Sequence, residues 1–142
     1  MKNKGYTVAD LSKITCIEDL RQVAECRVPR MFYDYADSGS WTEGTYRANE
    51  SDFHAIKFRQ RVAVNMEGRS TATTMVGQQA SMPVCIAPVG LTGMQHADGE
   101  IHAARAAEKF GIPFTLSTMS SCAIEDIAEH TAAPFGFQLY MM

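Results

Sequence analysis

The sequence predicts an α/β fold in which short parallel strands alternate with amphipathic helices. Three continuous apolar runs, at residues 83–88, 113–117 and 135–140, are typical of parallel strands that are covered on both faces. The two intervals between these runs have helical periodicity. The 142 residues are 46% hydrophobic and 20% charged, which is the composition of a folded protein. A (β/α) barrel and a doubly wound sheet both fit this pattern.

Residues 1–57 are predicted to form a helical amino-terminal segment made of short pieces. Thr7 can cap the first piece, and helical spacing continues at 17–26, 30–36 and 41–56. The piece at 30–36 follows Pro29, and Gly39 would supply a left-handed cap after it.

Residues 58–80 are predicted to form a short pair of strands. Residues 58–65 alternate between apolar and polar side chains, and residues 70–75 are rich in Thr and Val. Both properties favour strands.

Residues 81–142 contain the three apolar runs and the two helices between them. The first helix runs from Gly99 to Phe110, has a face of small alanines and is expected to stop at Gly111. The second runs from 123 to 130 with two acidic residues in its first turn, where the helix dipole favours them. A complete barrel needs about 250 residues. We therefore expect the chain to be a fragment of a longer protein or the product of a truncated gene.

Composition argues against several classes of protein. The net charge is −3 and the basic residues are scattered, so nucleic-acid binding is not expected. No signal sequence and no stretch of roughly 18 apolar residues is present. The sequence therefore predicts a cytoplasmic location, and peripheral contact with the inner face of a membrane stays open.

The cysteines and histidines predict no metal site. Cys16, Cys26, Cys85 and Cys122 form no CxxC pair, so we expect reduced structural thiols, with Cys85 buried in its apolar run. The four histidines have no metal-ligand spacing. The chain also lacks a Ser/His/Asp, HExxH, P-loop or GxGxxG pattern.

Candidate functional residues lie where the predicted strands end, because the loops there converge on one face of a barrel. Pro88, Val89 and Gly90 would let a flat ligand lie against the main chain, although a plain strand-to-loop turn has the same composition. Ser117 ends the second strand. Gln138 ends the third and needs a partner, either a polar ligand or the backbone.

Two tyrosines are further candidates. Tyr140, at the third strand end, can hydrogen-bond a substrate through its phenol, and Tyr35 lies on the predicted piece at 30–36. Packing of an aromatic ring at the rim is the alternative for both.

Several segments resemble the FMN-dependent 2-hydroxy-acid oxidase and dehydrogenase family. They are Phe-Tyr-Asp-Tyr-Ala-Asp-Ser-Gly at 32–39, Phe-Arg-Gln-Arg at 58–61, Ser-Met-Pro-Val-Cys-Ile-Ala-Pro-Val-Gly at 81–90, Pro-Phe-Thr-Leu-Ser-Thr at 113–118 and Phe-Gln-Leu-Tyr at 137–140. Within the family, the chain is most similar to the bacterial respiratory L-lactate dehydrogenases, on Val89-Gly90-Leu91 and the run at 111–118.

The resemblance implies a (β/α)8 TIM barrel that carries FMN across the carboxyl ends of its strands. Residues 81–142 would then be the first three strands of this FMN-binding barrel, which stays incomplete. By resemblance, the backbone of Pro88, Val89 and Gly90 lies against the flavin ring, and the side chains of Ser117 and Gln138 bind FMN. Tyr35 would bind the carboxylate of the substrate and Tyr140 its hydroxyl.

The resemblance also implies the reaction. A histidine base takes the hydroxyl proton of an L-2-hydroxy acid, above all L-lactate, while hydride passes to flavin N5, and an arginine clamps the carboxylate. Both residues are expected beyond residue 142, so this chain would carry no catalytic residue and be inactive alone. The whole enzyme would be a homo-oligomer that passes electrons to a respiratory quinone or cytochrome. The alternative is a catalytically incomplete remnant of the family.

Overall fold

The computed structural model describes residues 11–141, and its contacts divide the chain into two units, Met1–Val62 and Ala63–Met142. The described part of the first unit contains three α-helices: α1 (Ile17–Arg27), α2 (Arg30–Ala36) and α3 (Gly44–Ser51). Short 3-10 turns lie at Leu11–Lys13 and Asp52–Ala55. The cap predicted at Thr7 lies outside the described residues.

Helix α1 begins where an acidic side chain satisfies free backbone donors. Asp19, in the first turn, accepts hydrogen bonds from the Thr15 N–H at 2.8 Å and the Cys16 N–H at 3.2 Å. The Thr15 hydroxyl donates to the same oxygen at 2.8 Å. These bonds from Thr15 and Cys16 lower the pKa of Asp19, as expected for a carboxylate that caps a helix.

The left-handed cap predicted at Gly39 is wrong. Helix α2 ends at Asp37 with φ −94°, and Gly39 is not among the glycines of positive φ. The reason for a glycine at position 39 is steric, because a Cβ there would lie 2.6 Å from the Cβ of Tyr46.

The helix predicted from residue 41 to 56 is shorter than expected. Trp41 and Glu43 have φ values of 56° and 58°, in the left-handed region. A right-handed helix cannot pass through such residues. Helix α3 therefore begins at Gly44 and gives way to a 3-10 turn after Ser51.

The short strand pair forms within residues 58–80, but only the second of the two predicted strands is found, since β1 lies inside 70–75. No strand forms at 58–65, where every residue is exposed. Instead, β1 (Thr73–Met75) pairs antiparallel with β2 (Gln78–Ala80) across a loop of two residues. Val76 and Gly77 in this loop have φ values of 49° and 78°. Two positive φ values are what a tight type I′ hairpin turn requires.

The second unit contains three parallel chain segments in the predicted order. Ile86 forms a parallel bridge to Phe114, and β3 (Thr115–Leu116) pairs parallel with β4 (Gly136–Phe137). The bonds include Thr115 N–H to the Ile86 carbonyl at 3.1 Å and Gly136 N–H to the Phe114 carbonyl at 2.9 Å. The regular pairing is shorter than the apolar runs, and the described strands do not close into a barrel.

Two helices cover one face of these strands. Helix α4 (Gly99–Phe110) and helix α5 (Ile124–His130) have nearly the predicted bounds. Six buried residues form the core with them: Ile101, Ala104, Ala107, Phe114, Leu116 and Ile127. The small Ala104 and Ala107 let α4 approach the sheet closely. The stop predicted at Gly111 is confirmed, since Gly111 has φ 69° and the Ile112 N–H donates to the Ala107 carbonyl at 3.0 Å.

The burial predicted for Cys85 is wrong. Side chains alternate between the two faces of a strand, and Ile86 is the one that packs against the core. Cys85 and Ala87 therefore point to the opposite face, and both are exposed. The other three thiols are also free: Cys16 and Cys26 are exposed, and Cys122 is half-buried.

Candidate functional site

The ends of the three parallel segments lie at one edge of the sheet and carry two loops. We define the first loop as residues 88–93 and the second loop as residues 117–122. The Leu91 N–H of the first loop donates to the Met119 carbonyl of the second at 2.8 Å. Parallel strands present their carboxyl ends at the same edge, which is why segments far apart in sequence meet here.

Gly90 lies at a close approach between the two loops. A Cβ at this position would lie 2.9 Å from the Met119 Cβ and 3.6 Å from the Ser117 Oγ. A residue other than glycine would therefore push the loops apart. Before Gly90, Pro88 is half-buried and Val89 is exposed, so a strip of main chain is accessible beside the sheet edge.

Ser117 and Gln138 contact each other. Ser117 is 3% exposed; its hydroxyl donates to Gln138 Oε1 at 3.2 Å and accepts from the Met119 N–H at 3.0 Å. Gln138 is held through its backbone, because its N–H donates to the Leu116 carbonyl at 2.9 Å and its carbonyl accepts from the Thr118 hydroxyl. Within the described residues, the Gln138 amide nitrogen has no hydrogen-bond partner.

The two tyrosines are both accessible. Tyr140 lies two residues after Gln138 and is 49% exposed. Tyr35 lies on α2 in the amino-terminal unit and is 67% exposed, whereas Tyr33 on the same helix is buried. Both phenols are thus free of the packed core, and Tyr33 provides the packing of α2.

An arginine joins α1 to the helix that carries Tyr35. Arg21 donates to the Tyr33 hydroxyl at 3.2 Å and pairs with Asp37 at 2.9 Å. It also pairs with Glu18 at 2.8 Å, and the hydrogen bond with Glu18 is the main reason why the pKa of Arg21 is raised. Partial burial raises the pKa of Tyr33. The arrangement fixes α2 against α1.

Sequence reasoning missed Glu100, the most buried charged residue of the described chain. Its side chain is 2% exposed, and its Oε1 accepts from the Ser121 N–H at 2.9 Å and the Ser121 hydroxyl at 2.8 Å. Burial raises the pKa of Glu100, but hydrogen bonding from Ser121 and Thr92 outweighs this effect and lowers it to about 2. An acidic residue in the first turn of a helix is ordinarily solvated, so the pattern alone gave no signal.

The histidines and cysteines give no metal site within residues 11–141, where no three His, Cys, Asp or Glu side chains cluster as ligands would. His130 Nδ1 lies 2.7 Å from the Asp126 carbonyl, which is a local contact of helix α5. His96 packs edge-on against His102.

Comparison with known proteins defines the class. The sequence pattern of the FMN-dependent dehydrogenases matches residues 24–142, and the chain belongs to this family, whose cofactor is FMN. The L-lactate dehydrogenase of Xanthomonas campestris pv. campestris (strain B100) is 48% identical over 91% of this chain. That of Stenotrophomonas maltophilia (strain K279a) is 46% identical over the same share. The chain covers 33% and 34% of these two relatives, so it spans about a third of their length.

Solved structures agree with this assignment. The monotopic membrane protein (S)-mandelate dehydrogenase superposes with a TM-score of 0.84 at 38% identity, over 90% of this chain and 34% of that one. A soluble mutant of the membrane-associated (S)-mandelate dehydrogenase from Pseudomonas putida gives 0.83 at 39% identity, over 89% and 36%. A mandelate oxidase gives 0.82 at 31% identity, over 89% and 37%.

Among the residues that the structure describes, none of the helices is both long and apolar enough to traverse a lipid bilayer.

Proposed function

We propose that this chain supplies the FMN-binding amino-terminal part of an enzyme that oxidises an L-2-hydroxy acid, namely L-lactate to pyruvate. The observation that carries the proposal is the meeting of Gly90, Ser117 and Gln138 at the carboxyl edge of three parallel segments. The family of the chain supports the cofactor, and the L-lactate dehydrogenases among its relatives support the substrate.

The residues at the sheet edge fit a flat, polar cofactor. Residues 88–90 offer main chain without a bulky side chain at Gly90, where a planar ring can lie against the backbone. Ser117 keeps the Gln138 amide in place, and the free amide nitrogen of Gln138 can donate to a carbonyl oxygen of the ring. When bound, FMN supplies the hydride acceptor, flavin N5. The remaining strands of a TIM barrel would complete the site.

The tyrosines are proposed to bind the substrate. A phenol donates one hydrogen bond and accepts another, so Tyr140 suits the substrate hydroxyl and Tyr35 one oxygen of its carboxylate. The exposure of both phenols is compatible with ligand contact. The histidine base and the arginine clamp would come from residues outside this chain, which alone would be inactive.

The proposal extends to the electron acceptor and the assembly. A dehydrogenase that acts in respiration passes its electrons to a quinone or a cytochrome, and we propose such an acceptor for the whole enzyme. Peripheral contact with the inner face of the membrane fits the membrane association described for (S)-mandelate dehydrogenase, two structures of which have a similar fold. A homo-oligomer is proposed for the whole enzyme.

The proposal is tested with a hybrid enzyme in which this chain replaces the matching third of the Xanthomonas campestris L-lactate dehydrogenase. The hybrid is expected to bind FMN, and its flavin absorbance is expected to bleach when L-lactate is added without oxygen. The unaltered Xanthomonas enzyme is the control for folding and flavin content. A folded hybrid that lacks flavin, or whose flavin no 2-hydroxy acid reduces, would show that the chain is a catalytically incomplete remnant.

A further inference from the structure

Glu100 is a buried charge without a cation beside it in the described part of the chain. It lies in the first turn of α4, and its oxygens accept hydrogen bonds from two consecutive residues of the second loop. The Ser121 N–H and hydroxyl reach Oε1 at 2.9 and 2.8 Å, and the Cys122 thiol lies 3.4 Å from Oε2. A buried carboxylate is costly unless such bonds are complete, so the second loop is held firmly to α4.

The Ser121 hydroxyl extends this connection to the first loop. While its hydrogen is donated to Glu100, its oxygen accepts the Gly93 N–H at 2.9 Å. One hydroxyl therefore links the first loop, the second loop and α4. The hydrogen bond from Leu91 to Met119, at 2.8 Å, is a second link between the same loops.

The packing around Gly93 also depends on the Ser121 side chain. A Cβ on Gly93 would lie 2.5 Å from the Ser121 Oγ. Gly93 does not have a positive φ, so its backbone would accept alanine. Space for the Ser121 side chain, whose hydroxyl is the nearest atom and whose Cβ would lie 3.0 Å away, and not backbone conformation, is what excludes a side chain here.

The charge of Glu100 fixes the orientation of the Ser121 hydroxyl. A carboxylate can only accept hydrogen bonds, so it orients the Ser121 hydroxyl with its hydrogen toward α4 and a lone pair toward Gly93. A neutral amide could present its NH₂ group instead and turn the hydroxyl around.

We propose that Glu100 is a positioning residue that acts through the Ser121 hydroxyl to hold the first loop against the second. The connection sets the distance between the main chain at 88–90 and the Ser117 side chain, both of which belong to the FMN site proposed above. The flavin part of this inference rests on that proposed function. The connection between the loops is a property of the chain itself.

The test is hydrogen exchange of the Gly93 amide, measured by NMR on the full chain without flavin. Ser121→Ala is expected to speed this exchange by about tenfold or more, because the amide loses its acceptor and the loop opens locally. The amide of Ile127 in α5 should be unaffected. Ser121→Thr keeps the hydroxyl and should restore slow exchange at Gly93.

Ser120→Ala is the matched control, since the Ser120 hydroxyl bonds only to the Cys122 backbone within the second loop. It should leave the Gly93 amide unchanged. Glu100→Gln should speed exchange at Gly93 less than Ser121→Ala does, because the acceptor survives without its fixed orientation.

A second measurement uses Gly93→Ala. It should lower the free energy of unfolding of the wild-type chain more than that of the Ser121→Ala variant, because in the variant the contact at 2.5 Å is absent and only the one at 3.0 Å with the Ser121 Cβ remains. Equal exchange at Gly93 in wild type and Ser121→Ala, or a rise shared equally by Ile127, would overturn the inference. Because these measurements use no flavin, a hybrid enzyme that fails to bind FMN would overturn the proposed function and leave the loop connection standing.

Discussion

Ser117 illustrates how much of the site depends on single hydrogen bonds. Its buried hydroxyl joins the second loop to the end of β4 through Gln138. Ser121 plays the corresponding part between the first and second loops. A hydrogen bond makes a net contribution of about 1 kcal/mol to stability, but a buried donor or acceptor left without a partner costs about 1–3 kcal/mol. The main cost of losing either hydroxyl is therefore that its hydrogen-bond partners are left unpaired.

Glu100 predicts a change of stability with pH. Because its folded pKa of about 2 lies below the ordinary value of 4.5, the charged form stabilises the folded state. This contribution is complete above pH 4.5 and is lost as the pH falls toward 2. Glu100→Gln should cost roughly 1–3 kcal/mol at pH 6, and the difference from wild type should shrink at pH 3. Urea unfolding of wild type and Glu100→Gln at both pH values measures this difference in the free energy of unfolding.

Comparing wild type with the variant removes the contributions of Asp19 and Glu18, whose pKa values are also lowered. A difference between wild type and Glu100→Gln that stays constant from pH 6 to pH 3 would contradict this account of Glu100.

At the scale of elements, helices were predicted better than strands. The bounds of α2 and α4 agree with the sequence pattern, because Pro29 and Gly111 mark a start and a stop by backbone geometry alone. The partner of the strand at 70–75 was predicted on the wrong side of it because the hairpin turn is Val76-Gly77, and a β-branched residue at positive φ contradicts every local preference. The pairing of β1 with β2, and not the turn sequence, places the hairpin.

The hairpin turn predicts a stabilising substitution. Val76 is fully exposed at φ 49°, so its side chain contributes no packing and its backbone is strained. Asparagine tolerates this conformation better, and Val76→Asn should raise the free energy of unfolding by roughly 0.5–1 kcal/mol. Thermal unfolding measures the gain. The control is Val62→Asn, at another exposed valine that has no positive φ, which should give no gain in stability. An equal gain from both substitutions would contradict the explanation by backbone strain at Val76.

At the scale of the whole molecule, the meeting of the first and second loops followed from the order of the apolar runs. Consecutive parallel strands must end at one edge, so Gly90, Ser117 and Gln138 were predictable as neighbours. Glu100 was not, because its burial depends on the second loop folding over the start of α4. The exposure of Cys85 was also missed, since an apolar run does not show which face of the sheet is covered.

Whether FMN binds at the sheet edge is tested most directly by the FMN dissociation constant of the hybrid enzyme with Gln138→Ala. Removing the amide that faces the proposed ring should raise this constant by on the order of tenfold, as expected for the loss of about 1.4 kcal/mol. Gln79→Ala, at an exposed glutamine of β2, is the matched control and should leave it unchanged. If both variants bind FMN as tightly as the parent hybrid, the cluster at the sheet edge does not hold the flavin.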